Sequence, residues 1–225
     1  MQAPIAFFDL DKTLLAQNSG NLWIKFELRG GHVSWRQAAR GWAWLVGYHL
    51  GYTDIQPVLR EAIRTLRDTP ETAIVERTHR FYETEVRGLV RPGALRALEQ
   101  HRGAGHRLVL LTTSSNYLSS HMAAQLGLDD YVCNRFEVRP DGHFTGEPDG
   151  ELCYGVGKLH KARAYADALG VNLADCAFYT DSMSDLPVLE AVGEPVAVNP
   201  DPRLRRHASG RGWRVEDWGV PARRA

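Results

Sequence analysis

Three short apolar, β-prone runs stand out along the chain: Ile5-Ala6-Phe7-Phe8, Arg107-Leu108-Val109-Leu110-Leu111 and Ala177-Phe178-Tyr179. Each is brief and apolar on successive positions, which predicts buried strands covered on both faces. From about Asn18 to Leu89 the pattern is helical instead, interrupted near Gly30-Gly31, Gly51-Tyr52-Thr53-Asp54 and Asp68-Thr69-Pro70. Asp54 and Thr69 are predicted helix caps, with Pro70 at the first helical position. Arg91-Pro92-Gly93 ends this region. Helices are predicted over Ala94 to His101 and over Leu118 to Leu126, the second halted by Gly127. Strands alternating with helices in this way predict right-handed crossovers and a parallel sheet, an α/β fold. Arg139-Pro140-Asp141-Gly142, set between β-prone segments, predicts a hairpin over residues 132–146, either a flap or an extension of the sheet edge. The tail after Pro200, with Arg203, Arg205, Arg206 and Arg223-Arg224, reads as a solvated end.

The polar residues that close each run carry the chemistry. The first is followed by Asp9-Leu10-Asp11-Lys12-Thr13, the second by Thr112-Thr113-Ser114-Ser115-Asn116, the third by Thr180-Asp181-Ser182-Met183-Ser184-Asp185. Gly155-Val156-Gly157-Lys158 opens the helix before the third strand. In a parallel sheet the carboxyl ends of the strands share one rim, where ligands bind. The alternation of a strand places Asp9 and Asp11 on one side, where their charges crowd unless a cation intervenes or one takes a proton. Carboxylates, a hydroxyl and an ammonium at one rim suit phosphoryl transfer through an aspartyl-phosphate. Each residue also has a plainer role open to it. Asp9, Asp11, Asp181 and Asp185 are ordinary capping residues, Thr112 is placed to cap the helix near Asn116, and Lys158 neighbours His160, Lys161 and Arg163 on what reads as a solvated basic face.

At these four motifs, Asp9-Leu-Asp11-Lys-Thr13, Thr112, Lys158 and Asp181-Ser-Met-Ser-Asp185, the sequence resembles the phosphatase branch of the haloacid dehalogenase superfamily. The layout is most similar to subfamily IB, which contains the phosphoserine phosphatases. The resemblance implies a Rossmann-like parallel-sheet core from residues 1–16 and 90–225, an inserted helical cap of the C1 type over residues 17–89, and the hairpin as a small flap. It also implies Mg2+ held by Asp9, Asp181 and the backbone carbonyl of Asp11. Asp9 would be the nucleophile and Asp11 the acid and then base. Thr112, backbone N–H groups near Thr113, and Lys158 would hold the phosphate, with Thr13 and Asp185 in support. A proton-donating Asp11 suits a basic alkoxide leaving group and argues against a dehalogenase. Phosphoserine phosphatases carry a glutamate shortly after the first motif, whereas Leu15-Ala16-Gln17-Asn18-Ser19-Gly20 has no carboxylate. Asn18 is then the substrate-facing position, Glu27 a possible compensating acid, and histidinol phosphate or a sugar or polyol phosphate competes with phosphoserine. A phosphomutase would share every motif. A receiver domain would place its phosphorylated Asp at the end of a later strand, but no Asp follows Leu111. A non-catalytic binding module would normally lose the nucleophile or the acid, and both are kept.

Composition narrows the remaining classes. A chain of 225 residues has ample material for a core plus a small cap, and zero formal net charge argues against an electrostatically driven nucleic-acid binder. Cys133, Cys153 and Cys176 are an odd number without a CxxC pair, which reads as reduced thiols rather than a disulfide frame or zinc site. The most apolar stretch, Gly41 to Gly51, is too short to span a bilayer and contains His49. Trp23, Trp35, Trp42 and Trp44 lie at helical spacing that suits cap core, with a pocket lining as the other reading. The expectation is a cytoplasmic enzyme, without a membrane or nucleic-acid partner, acting on a small-molecule phosphate ester.

Overall fold

The computed structural model describes residues 3–32, Trp35 and residues 56–222. The predicted cap at Asp54, Trp42, Trp44, the Gly41–Gly51 stretch and Arg223-Arg224 lie outside the described residues. Strand β1 (Ile5–Phe8) leads into helix α1 (Ser19–Arg29), and α2 (Gln56–Arg64) and α3 (Glu71–Phe81) follow. The chain then alternates through α4 (Pro92–Gly103), β2 (Arg107–Ser115), α5 (Asn116–Leu126) and β3 (Asp130–Asn134). A hairpin of β4 (Phe136–Val138) and β5 (Phe144–Pro148) precedes α6 (Val156–Ala168), β6 (Ala177–Thr180), α7 (Leu186–Leu189), β7 (Glu194–Val198), α8 (Pro202–Arg211) and β8 (Arg214–Glu216).

Six strands form one parallel sheet in the order β3-β2-β1-β6-β7-β8. Period-two alternation sorts its side chains onto two faces. Ala6, Phe8, Leu108, Leu110, Tyr179, Val196 and Val198 pack with Leu98 of α4 and Leu118 and Met122 of α5. Ile5, Phe7, Val109, Leu111, Phe178 and Ala197 pack on the other side with Ala162 and Ala166 of α6, Val188 and Leu189 of α7 and Leu204 of α8. Covered faces explain why β1 is apolar at all four positions. β1 is central, and the chain runs first to its β2 side and later to its β6 side. The sheet therefore has its topological switch beside β1, the ordinary place for a ligand crevice in an open α/β sheet.

Two expectations are corrected here. The hairpin falls on residues 136–148, because Cys133 and Asn134 belong to β3 and pair with β2. It is not an edge extension: β4 and β5 form a separate two-stranded sheet. Its tip meets the α2–α3 connection, where Asp68 N–H donates to the Phe144 carbonyl, Phe144 N–H to Thr69 and Glu71 N–H to Gly142. Phe144, Phe136 and Val138 pack there with Ile74 and Leu66 and with Tyr117 of α5. Thr69 spends its carbonyl on the hairpin, and α3 is capped by Pro70 rather than begun by it.

The tail after Pro200 is likewise built in rather than solvated. Asp201 caps α8 by accepting from Arg203 and Leu204 N–H, and Leu204 and Ala208 are buried while Arg203, Arg205 and Arg206 stay exposed. β8 then adds the edge strand, and Trp218 is buried against Phe8 and Tyr179. Reading the arginines alone missed the buried stripe between them. Trp218 seats on Gly93, where an added Cβ would lie 2.4 Å from the Trp218 Cγ. Gly93→Ala should therefore cost about 1–3 kcal/mol through overpacking, measured as a lowered urea midpoint. An unchanged midpoint would show that the C-terminal segment does not bear on stability.

Candidate active site

β1, β2 and β6 are neighbours, so Asp9, Thr112 and Asp181 emerge side by side at one rim. Asp9 N–H donates to the Tyr179 carbonyl, which ties the first motif to β6. Beyond Asp9 the chain leaves the strand. Leu14 N–H returns to the Asp9 carbonyl and Leu15 N–H to Leu10, closing a tight turn in which Lys12 takes a left-handed φ of 57°. A non-glycine residue held in that region marks a strained, over-determined turn. The strand alternation used for Asp9 and Asp11 thus stops at Phe8, and the two carboxylates find different partners. Asp9 Oδ1 accepts from Lys158 Nζ at 2.8 Å, while Asp11 Oδ1 accepts from Ser19 N–H, the first residue of α1, at 2.6 Å.

Lys158 is the hub. Its ammonium also reaches Asp185 Oδ2 at 2.7 Å, and it is 1% exposed. It can sit so deep because Gly157 packs against backbone: a Cβ there would fall 2.3 Å from the Leu152 carbonyl oxygen. Thr180 Oγ1 donates to the same Asp185 oxygen at 2.6 Å, so Asp185 anchors the lysine from the far side. Thr13 is fully buried, with Oγ1 3.5 Å from Asp9 Oδ2, a weak contact. Thr112 is 1% exposed, and its Oγ1 accepts from Ser114 N–H, which leaves its proton available at the rim. Thr113 uses its hydroxyl to hold the Cys153 carbonyl in the loop before α6. The plainer roles of Lys158 as a solvated residue and Thr112 as a helix cap do not hold.

Two carboxylates, Asp9 and Asp185, therefore share one buried ammonium, and the charges of Asp11 and Asp181 bear on Asp9 and on each other nearby. Burial pushes Asp9 up to about 7; Lys158 opposes this, while Asp185 and Asp11 add to it. Asp11 is raised by burial despite its hydrogen bonds from Ser19. Asp181 is raised well above the carboxylate range by burial and by Asp9, with Lys12 opposing. Burial alone would lower Lys158, but Asp185 and Asp9 outweigh it and hold it raised. A donor set so rich in anionic oxygen fits a small hard cation. Among the described residues no group of three or more His, Cys, Asp or Glu side chains is placed to hold a metal ion by itself. Two carboxylates and a backbone carbonyl suit Mg2+, which keeps several waters.

The structure adds residues that the sequence did not single out. Asp201 accepts from Met183 N–H and donates its own N–H to the Asp181 carbonyl, fixing the loop after β6. The Asp201-Pro202 pair was a readable N-cap signal. Arg91, 7% exposed, donates Nε to the Lys12 carbonyl and Nη1 to the Gly219 carbonyl, bracing the strained turn from behind. No local pattern announces such an arginine. Asn18 caps α1, its Oδ1 accepting from Asn21 N–H at 2.9 Å. Glu27 lies on the side of α1 away from Asn18, its Oε2 paired with Arg77 at 2.7 Å and its Oε1 buried without a hydrogen-bond partner. Trp23 packs on Phe26 and Phe81 as core, whereas Trp35 is exposed.

Residues 6–190 match the model of the haloacid dehalogenase-like hydrolases. The chain is 32% identical over 226 residues to the phosphoserine phosphatase SerB1 of Mycobacterium tuberculosis, covering 98% of this chain and 72% of that protein. It is 26% identical over 215 residues to a histidinol-phosphatase of Neisseria meningitidis, covering 94% of this chain and 97% of that one. A phospho-aspartyl intermediate analogue of phosphoserine phosphatase superposes with a TM-score of 0.72 at 18% identity, over 98% of this chain and 96% of the other, a likeness of fold. Among the described residues no helix is long and apolar enough to cross a membrane.

Proposed function

Because the chain belongs to the haloacid dehalogenase-like hydrolase family and is a phosphatase, we propose that it hydrolyses a small phosphate monoester in two steps, through an aspartyl-phosphate on Asp9. The observation that carries this reading is the buried Lys158 ammonium, held between Asp9 and Asp185 at the rim where Thr112, Asp11 and Asp181 converge. Asp9 attacks phosphorus while Asp11, whose burial favours its protonated form, gives its proton to the departing alkoxide. Asp11 then takes a proton from the water that cleaves the acyl-phosphate. Lys158, the Thr112 hydroxyl and N–H groups near Thr113 orient the non-bridging oxygens and neutralise their charge. Asp185 and Thr180 position Lys158, and Thr13 lies against Asp9.

Asp9 and Asp181, with the backbone carbonyl of Asp11, would hold Mg2+. Bound there, it neutralises charge on the phosphate and relieves repulsion among the carboxylates. Residues 17–89 are read as a cap that carries the hairpin with it, a reading supported by the bonds between the hairpin and residues 68–71.

Turnover of p-nitrophenyl phosphate should require Mg2+, vanish in excess EDTA and be inhibited by Ca2+, whose looser coordination can take both oxygens of Asp9. Metal binding needs ionised carboxylates, so Mg2+ should also raise the melting temperature more at pH 8 than at pH 5.5, by about 5 °C at saturation. Full turnover after exhaustive chelation, with no thermal shift at either pH, would remove the metal assignment.

A further inference from the structure

Beside the reacting carboxylates lies a cavity of about 570 Å³ lined by Lys12, Gln17, Asn18, Asn21, Leu22 and Lys25. Its place in the fold gives it a role. Lys12 directly follows Asp11, the proposed proton donor to the leaving group, and its charge reaches both Asp11 and Asp181. The Asp11 carboxylate is itself tied to Ser19 N–H, at the start of the helix whose outer face forms the cavity wall. Asn18, Asn21, Leu22 and Lys25 are spaced three and four apart, so they line one face of α1. On the proposed mechanism, the alkoxide that breaks from phosphorus and takes its proton from Asp11 departs into this cavity.

The lining has a definite sign. Among the described residues it holds two ammonium groups, three amides, one apolar residue and no carboxylate. The Asn18 carbonyl oxygen is already committed to Asn21 N–H, so the side chain offers the cavity its NH2 donors. Helix α1 itself carries one acid, Glu27. Glu27 is 4% exposed, sits on the opposite side of α1 and is occupied by Arg77. Among the described lining residues an ammonium entering this cavity meets two like charges and no counterion, whereas an anion meets two ammonium groups and amide donors.

We infer that this cavity selects phosphate monoesters whose leaving group carries a second anion, a carboxylate or a second phosphate, and rejects leaving groups whose charge is an ammonium. The inference rests on the phosphatase reading and deepens it. Lys12 and Lys25 set the sign, and the amides of Gln17, Asn18 and Asn21 bind the oxygens of the anion and its hydroxyls. The interaction is of the kind that strengthens ground state and transition state alike, so it acts through KM more than kcat.

The test uses the wild-type enzyme with Mg2+ and five esters that differ in the charge of the leaving group: phosphoglycolate, propanediol bisphosphate, ethyl phosphate, phosphoserine and phosphoethanolamine. The expected order of kcat/KM places the two anionic esters about tenfold above ethyl phosphate and phosphoethanolamine below it, with the spread in KM and shrinking as salt rises. Preference between phosphoglycolate and the bisphosphate tells which anion fits. In Lys25→Glu the order should collapse or invert, phosphoethanolamine gaining on phosphoglycolate. Equal kcat/KM across the series, a preference for ammonium-bearing esters, or an order untouched by Lys25→Glu would overturn the inference while leaving the phosphatase standing. Phosphate release from none of the five above the level of Asp9→Asn would overturn both.

Discussion

Asp9→Asn should abolish turnover, by on the order of 10⁴-fold or more, while the protein stays folded. An amide cannot form the acyl-phosphate, and removing a nucleophile costs about as much as removing the whole catalytic set with which it acts. The fold should survive because the amide oxygen still accepts from Lys158, whose other partner, Asp185, is untouched. The substitution also removes a buried carboxylate that burial has already pushed up to about 7. Freshly purified protein is needed, since slow deamidation regenerates the acid. A well-folded Asp9→Asn protein hydrolysing p-nitrophenyl phosphate near the wild-type rate would displace Asp9 as nucleophile.

Lys158→Ala should damage stability as well as activity. It leaves Asp9 and Asp185, 7% and 2% exposed, without the ammonium they share. Breaking a buried pair by deleting one partner costs about 3–5 kcal/mol, which lowers the melting temperature of a chain this size by on the order of 10 °C. The pH dependence has a definite sign. Asp9 is raised in the fold from 3.8 to about 7, so the folded state holds protons that the unfolded state has released. That contribution to stability is complete below about pH 4 and lost as pH rises through about 7. Without Lys158 the carboxylates gain still more from protonation, so the deficit against wild type should be smaller at pH 5 than at pH 8. Thermal melts of both proteins without metal across that range measure it. A deficit independent of pH would mean that lost packing, not uncompensated charge, is what the substitution costs.

The parts legible in the sequence were those in which local pattern and global position agree. β1 is continuous and apolar because both sheet faces are covered, and its boundaries match the run Ile5-Ala6-Phe7-Phe8. Asp9 and Asp181 stood out because each follows a strand, and Lys158 because it opens a helix; Thr112 was read as following a strand too, but β2 runs on to Ser115 and holds it near its carboxyl end. Three features were harder to read, each for a physical reason. The split of Asp9 and Asp11 onto different partners depends on a strained turn at Lys12, where alternation no longer applies. The hairpin register moved because Cys133 and Asn134 have a stronger use beside β2, with the Asn134 amide bonding the Thr113 carbonyl and the Cys153 N–H. Trp218 and Arg91 owe their burial to contacts more than a hundred residues away in sequence, which no local window contains.

The two chain segments that join α1–α3 to the sheet run side by side: Leu15 bridges Val90, Ala16 N–H donates to the Leu89 carbonyl and Arg91 N–H to Leu14. Bonded to each other in this way, they form one strap rather than two independent tethers. The hairpin gives the same helices a second attachment, pinned by its tip at residues 68–71 and closed at its base by Asp149 N–H on the Arg135 carbonyl. The helices α1–α3 are thus joined to the rest of the molecule at two separate places, each closed by backbone hydrogen bonds rather than by side chains, so neither attachment can be cut by a single side-chain substitution.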